Sequence, residues 1–232
     1  MEYRLIADSG CDMTPEYNQI LNATLVPLTL RLGDQEYIDD ETLDVPRFLI
    51  DMESGSEKAG SAAPAPDAYL QAFGKDTAFA VTLSGKLSGS YNSAMVARGM
   101  LPDPEKVHVF DSKSASAGEL LILMKLRALV DQGLSRLEII ERAQKFIDGM
   151  KTYFVLENLE NLRRNGRLNR VVAHLASILN IRPILGADGE GNIAFFSHAR
   201  GRGQVLRKLS ETIATSGKDT RGLDMVISHC NN

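Results

Sequence analysis

Short apolar segments rich in β-branched residues alternate along this chain with longer segments whose apolar residues recur at helical spacing. The pattern predicts β-strands at four of the short segments, namely Arg4–Ala7, Ala78–Thr82, Val107–Phe110 and Tyr153–Leu156. The first three lead into turns rich in Ser, Gly or Asp. Because strands separated by helices are typical of βαβ units, we expect an α/β fold with a mostly parallel sheet in the N-terminal domain.

Two helices are predicted between the third and fourth strands. Ala115–Gln132 is apolar on nearly every face and ends before Gly133, so we expect a buried helix with a glycine at its carboxyl end. Ser135–Asp148 begins with Ser135 and Glu138 at the spacing of a capping box.

Two segments depart from this alternation. Thr24–Ile38 is predicted as a β-hairpin that turns at Gly33-Asp34. Gly55–Pro66 is rich in Gly, Ser, Ala and Pro, and it is predicted as a loop.

A second, smaller domain is predicted to begin near Lys151, which gives domains of residues 1–150 and 151–232. The predicted helices and strands of this mixed α/β domain are helices over Asn158–Asn165, Arg170–Leu179 and Gln204–Ala214, a hairpin of Ile181–Leu185 and Asn192–Ser197, and a last strand over Asp224–His229. Because no helix follows this last strand, we expect the second domain to be truncated.

Composition excludes several classes of protein. Hydrophobic residues make up 44% of the chain and charged residues 24%, which is typical of a globular protein. A formal net charge of −4 argues against binding to nucleic acid. No apolar run is long enough to insert stably in a membrane, and the N-terminus lacks the pattern of a signal peptide. With only two cysteines there is no disulfide framework, so a cytoplasmic protein is expected.

Four loops rich in Ser and Gly are predicted near the carboxyl ends of strands, where ligands of α/β sheets usually bind. They are Asp8–Asp12, the loop at Ser61, Ser84–Ser90 and Asp111–Ser114. Ser88-Gly89-Ser90 also begins a predicted helix, so an anion there would meet free N–H groups and the positive end of the helix dipole. Ser and Gly are ordinary in turns, so each loop by itself is also open to a purely structural role.

Nucleophilic and metal chemistry find little support in the sequence. Cys11 lies in a small-residue loop, but none of the histidines, His108, His174, His198 and His229, lies in a motif that would make it a catalytic base. The histidines also lack the spacing of zinc ligands. We therefore expect no catalytic residue, no metal and no cofactor.

Ordered motifs along the chain resemble those of the DegV family. The motifs are Ile6–Asp12 (hydrophobic strand, then D-S-x-x-D), Thr82–Ala94 (S-S-K-L-S-G-T-Y-x-S-A), Val109–Gly118 (V-x-D-S-K-S-A-S-x-G), Leu156–Leu168 (L-x-x-L-x-x-G-G-R), Leu179–Leu185 (L-N-I-K-P-I-L) and Arg200–Arg202 (R-G-R). The resemblance implies a two-domain α/β protein that buries the chain of one long-chain fatty acid, such as palmitate or oleate, in a tunnel. It also implies that the protein presents the carboxylate to a separate fatty-acid kinase for phospholipid synthesis, without making a bond itself.

The resemblance also implies the head-group site. The serine of the family's L-S-G turn falls on Ser88, followed by Gly89, and the threonine of its T-S-x-P loop falls on Ser61. The arginine of G-G-R falls on Arg167, which the family places near the ligand head and the partner-facing surface. Two departures are visible: Ser61–Pro66 has lost the Gln and two serines of T-S-Q-P-S-P, and the family's C-terminal histidine loop has no counterpart before Asn232.

Two alternatives remain open. One is a phosphoryl-transfer enzyme or subunit related to dihydroxyacetone kinases, although the sequence offers no histidine in a suitable loop and no carboxylate cluster for Mg²⁺. The other is a truncated paralogue that binds no fatty acid, which the missing C-terminal loop would explain.

Overall fold

The computed structural model describes residues 3–54, 59–169, 171, 181–217, 219 and 221–229. Its contacts divide the chain into two units, Met1–Met150 together with Val226–Asn232, and Lys151–Met225. The predicted second domain extends to residue 232, whereas the last seven residues group with the first unit.

Strands and helices have the following bounds. The strands are β1 (Arg4–Asp8), β2 (Ala23–Val26), β3 (Thr29–Leu32), β4 (Gln35–Ile38), β5 (Ala59–Ala62), β6 (Ala78–Thr82), β7 (Val107–Asp111), β8 (Tyr153–Phe154), β9 (Ile181–Ala187) and β10 (Ile193–Arg200). The α-helices are α1 (Pro15–Leu21), α2 (Val45–Ser54), α3 (Pro66–Phe73), α4 (Ser90–Gly99), α5 (Ala117–Asp131), α6 (Arg136–Gly149), α7 (Glu160–Arg164) and α8 (Val205–Ala214). Short 3-10 turns occupy Ser9–Cys11, Pro104–Lys106 and Arg202–Gln204.

A parallel sheet in the order β2-β1-β6-β7 forms the centre of the first unit and confirms the predicted α/β fold. Every residue of β6 is buried, as expected of a central parallel strand covered on both faces. On β1, Leu5 and Ala7 pack with α1, α5 and α6 on one face, whereas Ile6 packs with α3 and α4 on the other. The sheet therefore lies between two helical layers, and its carboxyl edge is free to carry loops.

Both helices predicted after the third strand are confirmed. α5 buries residues on most of its circumference, and Gly133 follows it with a positive φ of 69°. At the start of α6, the Ser135 backbone N–H donates to Glu138 Oε2 at 3.0 Å, while Ser135 Oγ accepts from the Glu138 N–H at 3.4 Å. This reciprocal pair is the predicted capping box.

The segments before α3 differ in part from prediction. The hairpin is confirmed for β3 and β4, but Thr24–Val26 lies in β2, which pairs in parallel with β1. The predicted loop over Gly55–Pro66 is wrong in two places, since β5 pairs with β3 and Pro66 begins α3. β5 is held by backbone hydrogen bonds to β3 and contains no large side chain. Its sequence therefore lacks the β-branched and aromatic residues from which strands are predicted.

The second unit contains the predicted hairpin, formed by β9 and β10, with β8 pairing antiparallel to β9. The side chain of Asp188 organises the turn by accepting hydrogen bonds from the N–H groups of Glu190 and Asn192. Helix α8 agrees with the predicted Gln204–Ala214, whereas the predicted helix Arg170–Leu179 lies outside the described residues.

The predicted last strand, Asp224–His229, is wrong, because this segment has no regular secondary structure. Met225 and Ile227 are 60% and 75% exposed, so this part of the chain has no buried face that would favour pairing. Val226 nevertheless packs against the core of the first unit, and Ser228 Oγ donates to Asp12 Oδ2 at 2.5 Å.

Candidate functional site

Three of the four predicted loops follow β1, β6 and β7, and they meet at one edge because these strands are parallel. Backbone hydrogen bonds join them: Ser84 N donates to Ser114 O at 2.8 Å, and Ser116 N donates to Gly10 O at 2.9 Å. The edge is thus a single connected layer of loops.

Two of these loops use their polar groups internally. In the first, Ser9 Oγ accepts from the Leu28 N–H at 3.0 Å and donates to Asp39 Oδ2 at 2.7 Å. In the loop that follows β7, Asp111 Oδ1 accepts from the N–H groups of Gly85 and Lys113. The structural interpretation is therefore sufficient for both loops.

The Ser88-Gly89 turn is different, because it leads directly into a helix and Gly89 is exposed. Ser84 O accepts from the N–H groups of Leu87 and Ser88, which folds the turn back on itself. Ser88 is half-buried, and its Oγ accepts from the Ser90 N–H at 3.2 Å, so its hydroxyl can still donate to another acceptor. α4 begins at Ser90, and its N-cap residue, Gly89, has no side chain that could cap it, so Ser88 Oγ takes only the first N–H of the helix. The first turn of α4 therefore offers N–H donors beside a hydroxyl donor.

The segment that follows Ser61 lies beside Gly89. The φ and ψ of Gly89 are −76° and −5°, a right-handed conformation that any residue adopts, so the backbone does not require glycine. A Cβ built there would meet Ala63 Cβ at 3.4 Å, an ordinary contact. Ser61 itself lies in β5 opposite Leu30 and is exposed. The β5–α3 segment thus borders the Ser88-Gly89 turn, although Ser61 precedes the point of contact.

Arg167 belongs to the second unit, where it follows α7. Gly166, with φ of 78°, donates its N–H to Arg163 O at 3.0 Å, and the Arg167 N–H donates to Leu162 O at 2.9 Å. These two bonds form a Schellman motif, which fixes the backbone that carries Arg167. The exposed Arg167 side chain donates from Nη1 to Asn165 O at 2.6 Å.

The two neighbouring arginines of α7 have a local role. Arg163 and Arg164 both form ion pairs with Glu160, at 2.7 and 2.8 Å. These pairs lower the pKa of Glu160 to about 2. Arg163 and Arg164 therefore have a partner within their own helix.

Below the loops lies a buried acidic pair that the sequence did not reveal. Asp8, at the end of β1, accepts from the Leu83 N–H at 2.9 Å and from the Gly10 N–H at 3.1 Å, while Tyr69 donates its hydroxyl at 3.4 Å. Glu119, in the first turn of α5, is fully buried. Burial first, and the neighbouring Asp8 carboxyl second, raise the pKa of Glu119 well above its usual range. The one signal of this buried carboxyl group in the sequence was a glutamate inside a strongly apolar predicted helix.

Cys11 sits beside this pair and is fully buried. Burial first, and the charges of Glu119 and Asp8 next, raise the pKa of the Cys11 thiol. A protonated, inaccessible thiol is a poor nucleophile, so the structure gives this cysteine a packing role.

Neither a metal cluster nor a membrane-crossing helix occurs in the described ranges. No group of three or more His, Cys, Asp or Glu side chains among these residues could hold a metal ion. No helix there combines the length and apolar character that crossing a bilayer requires.

Solved structures similar to this chain include proteins that hold fatty acids. The Fatty Acid Kinase (Fak) B3 protein of Streptococcus pneumoniae, loaded with linoleic acid, is 37% identical with a TM-score of 0.84, covering 94% of this chain and 79% of its own. A DegV family protein of Ruminococcus gnavus, refined with vaccenic acid, is 35% identical with a TM-score of 0.84, covering 92% and 78%. A DegV family protein of Eubacterium eligens, loaded with heptadecanoic acid, is 34% identical with a TM-score of 0.82, covering 93% and 79%.

Sequence relatives agree with these structures. A DegV domain-containing protein of Streptococcus pneumoniae is 38% identical over 224 residues, which span 94% of this chain and 79% of the relative. A family model described as "Uncharacterised protein, DegV family" matches residues 2–232. The chain therefore belongs to the DegV family.

Proposed function

We propose that this protein binds one long-chain fatty acid, such as palmitate or oleate, and holds its carboxylate at the Ser88-Gly89 turn. The observation that carries the proposal is the first turn of α4, whose N-cap residue is a glycine without a capping side chain and whose first N–H donates to the half-buried Ser88 hydroxyl. The fatty acids held by similar solved structures supply the class of ligand.

The chemistry of this turn suits a carboxylate. Backbone N–H groups at a helix start satisfy an anion through short hydrogen bonds and through the positive end of the helix dipole. A hydroxyl donor adds a further hydrogen bond, and neither Ser88 nor Gly89 carries a charge of its own. Such a site orients the carboxylate and leaves most of the affinity to the acyl chain.

The acyl chain supplies that affinity by burial in the tunnel that the family resemblance implies. Burying about 14 methylenes at about 0.8 kcal/mol each contributes on the order of 11 kcal/mol before the entropic costs of binding. Those costs, about 4–15 kcal/mol, offset a large part of this gain. The contacts with the head group then provide specificity and leave the carboxylate exposed to a partner.

Ser61 is the second residue proposed to contact the carboxylate, and Arg167 is proposed as the third from the family resemblance alone. Ser61 lies on the segment that borders Gly89, and its hydroxyl is exposed rather than committed to the core. Arg167 is carried on a rigid helix end, which suits a residue that meets a ligand head or a partner.

The protein is proposed to act as a carrier rather than as an enzyme. A separate fatty-acid kinase would phosphorylate the bound carboxylate, and the acyl phosphate would enter phospholipid synthesis. The similar protein of Streptococcus pneumoniae is named as the B3 protein of a fatty acid kinase, which supports this partner. Cys11 is buried and the pKa of its thiol is raised, so this cysteine is a poor nucleophile.

Native mass spectrometry of the purified protein tests the binding step. We expect one fatty acid per chain, recovered by solvent extraction and replaced by labelled oleate on incubation. A protein that is empty and takes up no oleate would contradict the proposal and favour a paralogue that binds no lipid. Adding a bacterial fatty-acid kinase and ATP to the loaded protein then tests the carrier role, with acyl phosphate as the expected product.

A further inference from the structure

One carboxylate attaches the segment around Ser228 to the loops of the first unit. Asp12 Oδ2 accepts a hydrogen bond from Ser116 Oγ, which lies immediately before α5, and another from Ser228 Oγ at 2.5 Å. The Ser116 N–H also donates to Gly10 O at 2.9 Å, beside Asp12 in the chain. Three distant parts of the chain therefore meet at Asp12, and we call Asp12, Ser116 and Ser228 the Asp12 clasp.

Two members of the Asp12 clasp have backbone conformations that L-residues rarely adopt. φ is 50° at Asp12 and 59° at Ser116, and these are two of the four described non-glycine residues with positive φ. Such conformations persist only where the surrounding contacts hold them, and they often mark functional segments. Both residues also belong to motifs of the sequence, D-S-x-x-D and V-x-D-S-K-S-A-S-x-G, and neither has a part in the proposed carboxylate site.

Residues 223–229, which we call the strap, are otherwise held weakly. No backbone–backbone hydrogen bond joins the strap to another described residue. Three of its apolar side chains are more than half exposed, namely Leu223, Met225 and Ile227. Val226 packs against the core of the first unit, and Ser228 belongs to the Asp12 clasp. A segment with so few buried contacts opens at a small cost in free energy.

The strap is attached to the same layer of loops that carries the Ser88-Gly89 turn. Asp12 lies in the loop after β1, and Ser116 lies in the segment between β7 and α5. In that segment, Ser114 O accepts from the Ser84 N–H at 2.8 Å, and Ser84 begins the loop that contains Ser88. The strap and the proposed carboxylate site therefore share one connected edge of the parallel sheet.

The strap also contains one of the two points at which the chain passes between the units. The chain leaves the first unit after Met150 and returns to it at Val226. Met150 directly follows the long helix α6 and packs against the core, whereas the return at Val226 depends on the strap. Opening of the strap therefore frees one of the two connections, and relative motion of the units is easier when fewer contacts restrain them.

We propose that the strap opens and closes on this edge of the sheet, that the Asp12 clasp holds it closed, and that the fatty acid is exchanged while it is open. The proposal rests on the proposed function of the Ser88-Gly89 turn. Asp12 and Ser116 thereby control the rate of lipid exchange without touching the carboxylate. Because the clasp holds the strap in both the loaded and the empty protein, loss of the clasp speeds binding and release alike and leaves the affinity nearly unchanged.

Opening of the strap is measured first, in the lipid-free protein. Val226→Cys places a thiol where the closed strap packs against the core, in a chain that also carries Cys230→Ser so that the remaining native thiol is the buried Cys11. The rate at which a bulky thiol reagent labels position 226 then reports the open fraction of the strap.

Ser228→Ala is the informative variant, because it removes one donor of the clasp at an exposed position. We expect labelling to become about three- to tenfold faster, the range that one ordinary hydrogen bond supplies. Ser210→Ala is the matched control, since the Ser210 hydroxyl donates to Leu206 O within its own helix, α8, and we expect no change. Equal labelling rates in Ser228→Ala and Ser210→Ala would overturn the clasp.

Asp12→Gly provides a second variant, because glycine adopts the positive φ of Asp12 and removes the acceptor of the clasp. We expect faster labelling in Asp12→Gly, and we expect Ser228→Ala to add little when it is combined with Asp12→Gly. Fully additive effects of the two changes would show that Asp12 and Ser228 act independently, and this result would also overturn the clasp.

The dissociation rate and the affinity of labelled oleate are measured next, with Val226 and Cys230 restored. In Ser228→Ala we expect release to accelerate by about the same factor as labelling, while the Kd stays within about twofold of the wild type. Release at the wild-type rate, despite faster labelling, would overturn the control of exchange. A Kd that rises in proportion to the release rate would also overturn it, since Ser228 would then act on the bound lipid.

Failure of the proposed function would be recognised separately. In that case the wild type binds no oleate, while labelling at position 226 still responds to Ser228→Ala. The control of exchange would then fall with the proposed function, and the Asp12 clasp alone would remain.

Discussion

Replacing Gly89 with alanine adds a single methyl group, which we expect to weaken binding strongly and to affect stability little. The φ and ψ of Gly89 are −76° and −5°, which alanine adopts without strain, and the new Cβ would meet Ala63 Cβ at an ordinary 3.4 Å. The fold therefore has room for the methyl group. If the carboxylate approaches the first turn of α4 as proposed, however, the methyl group lies in its path.

The two effects differ in size. The free energy of unfolding should fall by no more than about 1 kcal/mol, because alanine is only modestly worse than glycine as an N-cap residue. Displacing the carboxylate loses charge-assisted hydrogen bonds worth about 1.5–3 kcal/mol each. One such bond corresponds to a loss of roughly 10- to 150-fold in affinity.

Displacement of a fluorescent fatty acid measures affinity, and urea unfolding of the lipid-free protein measures stability. Gly99→Ala is the matched control at the other end of α4, where an added Cβ meets nothing within 4 Å. We expect that variant to bind as the wild type does and to be as stable or slightly more stable. Equal affinity in Gly89→Ala and Gly99→Ala would refute the assignment of the head group to this turn.

Further predictions concern the neighbouring groups. Ser88→Ala should lower retention of labelled fatty acid more than Ser61→Ala, since only Ser88 borders the free start of α4; equal retention in both would count against the site. Gly166→Ala should lower the free energy of unfolding by about 1 kcal/mol, because alanine is strained at a φ of 78°; an unchanged urea midpoint would contradict this. Because the pKa of Glu119 is raised in the folded state, its contribution to stability is complete below the usual glutamate pKa of 4.5. This contribution is lost as the pH rises towards the folded-state pKa. The free energy of unfolding of Glu119→Gln should therefore increase relative to that of the wild type as the pH rises. A pH-independent difference in urea midpoints would show that no proton is involved. Cys11, in a variant whose other cysteine is serine, should react with a thiol reagent only after denaturation; rapid labelling of the folded protein would refute its burial.

Periodicity predicted those parts of the fold whose own side chains determine their structure. β6 is a continuous apolar run, and such a run is buried wherever it lies in a parallel sheet. The capping box of α6 is likewise local, since Ser135 and Glu138 satisfy each other's backbone. The loop that carries Ser88 was found for the same reason: it lies between a clear strand and a clear helix.

Segments that depend on distant partners were missed. β5 consists of Ala, Gly and Ser, and it is a strand only because β3 supplies its hydrogen bonds. Glu119 lies in a predicted buried helix, but its raised pKa follows first from burial and then from Asp8, more than a hundred positions earlier in the chain. Residue patterns within a short stretch of sequence contain no information about contacts with residues that are distant in the chain.

The hydrogen bond from the Leu83 N–H to Asp8 has a consequence for how the protein acquires its binding site. The two residues are 75 positions apart, so the bond forms only after β1 and β6 have paired across the intervening helices α1, α2 and α3 and the β3–β4 hairpin. α5, which brings Glu119, is synthesised later still. A nascent chain that has not yet emerged as far as α5 therefore lacks the helix that covers one face of this sheet, and lipid capture becomes a late event in the life of the polypeptide, coupled to completion of the parallel sheet.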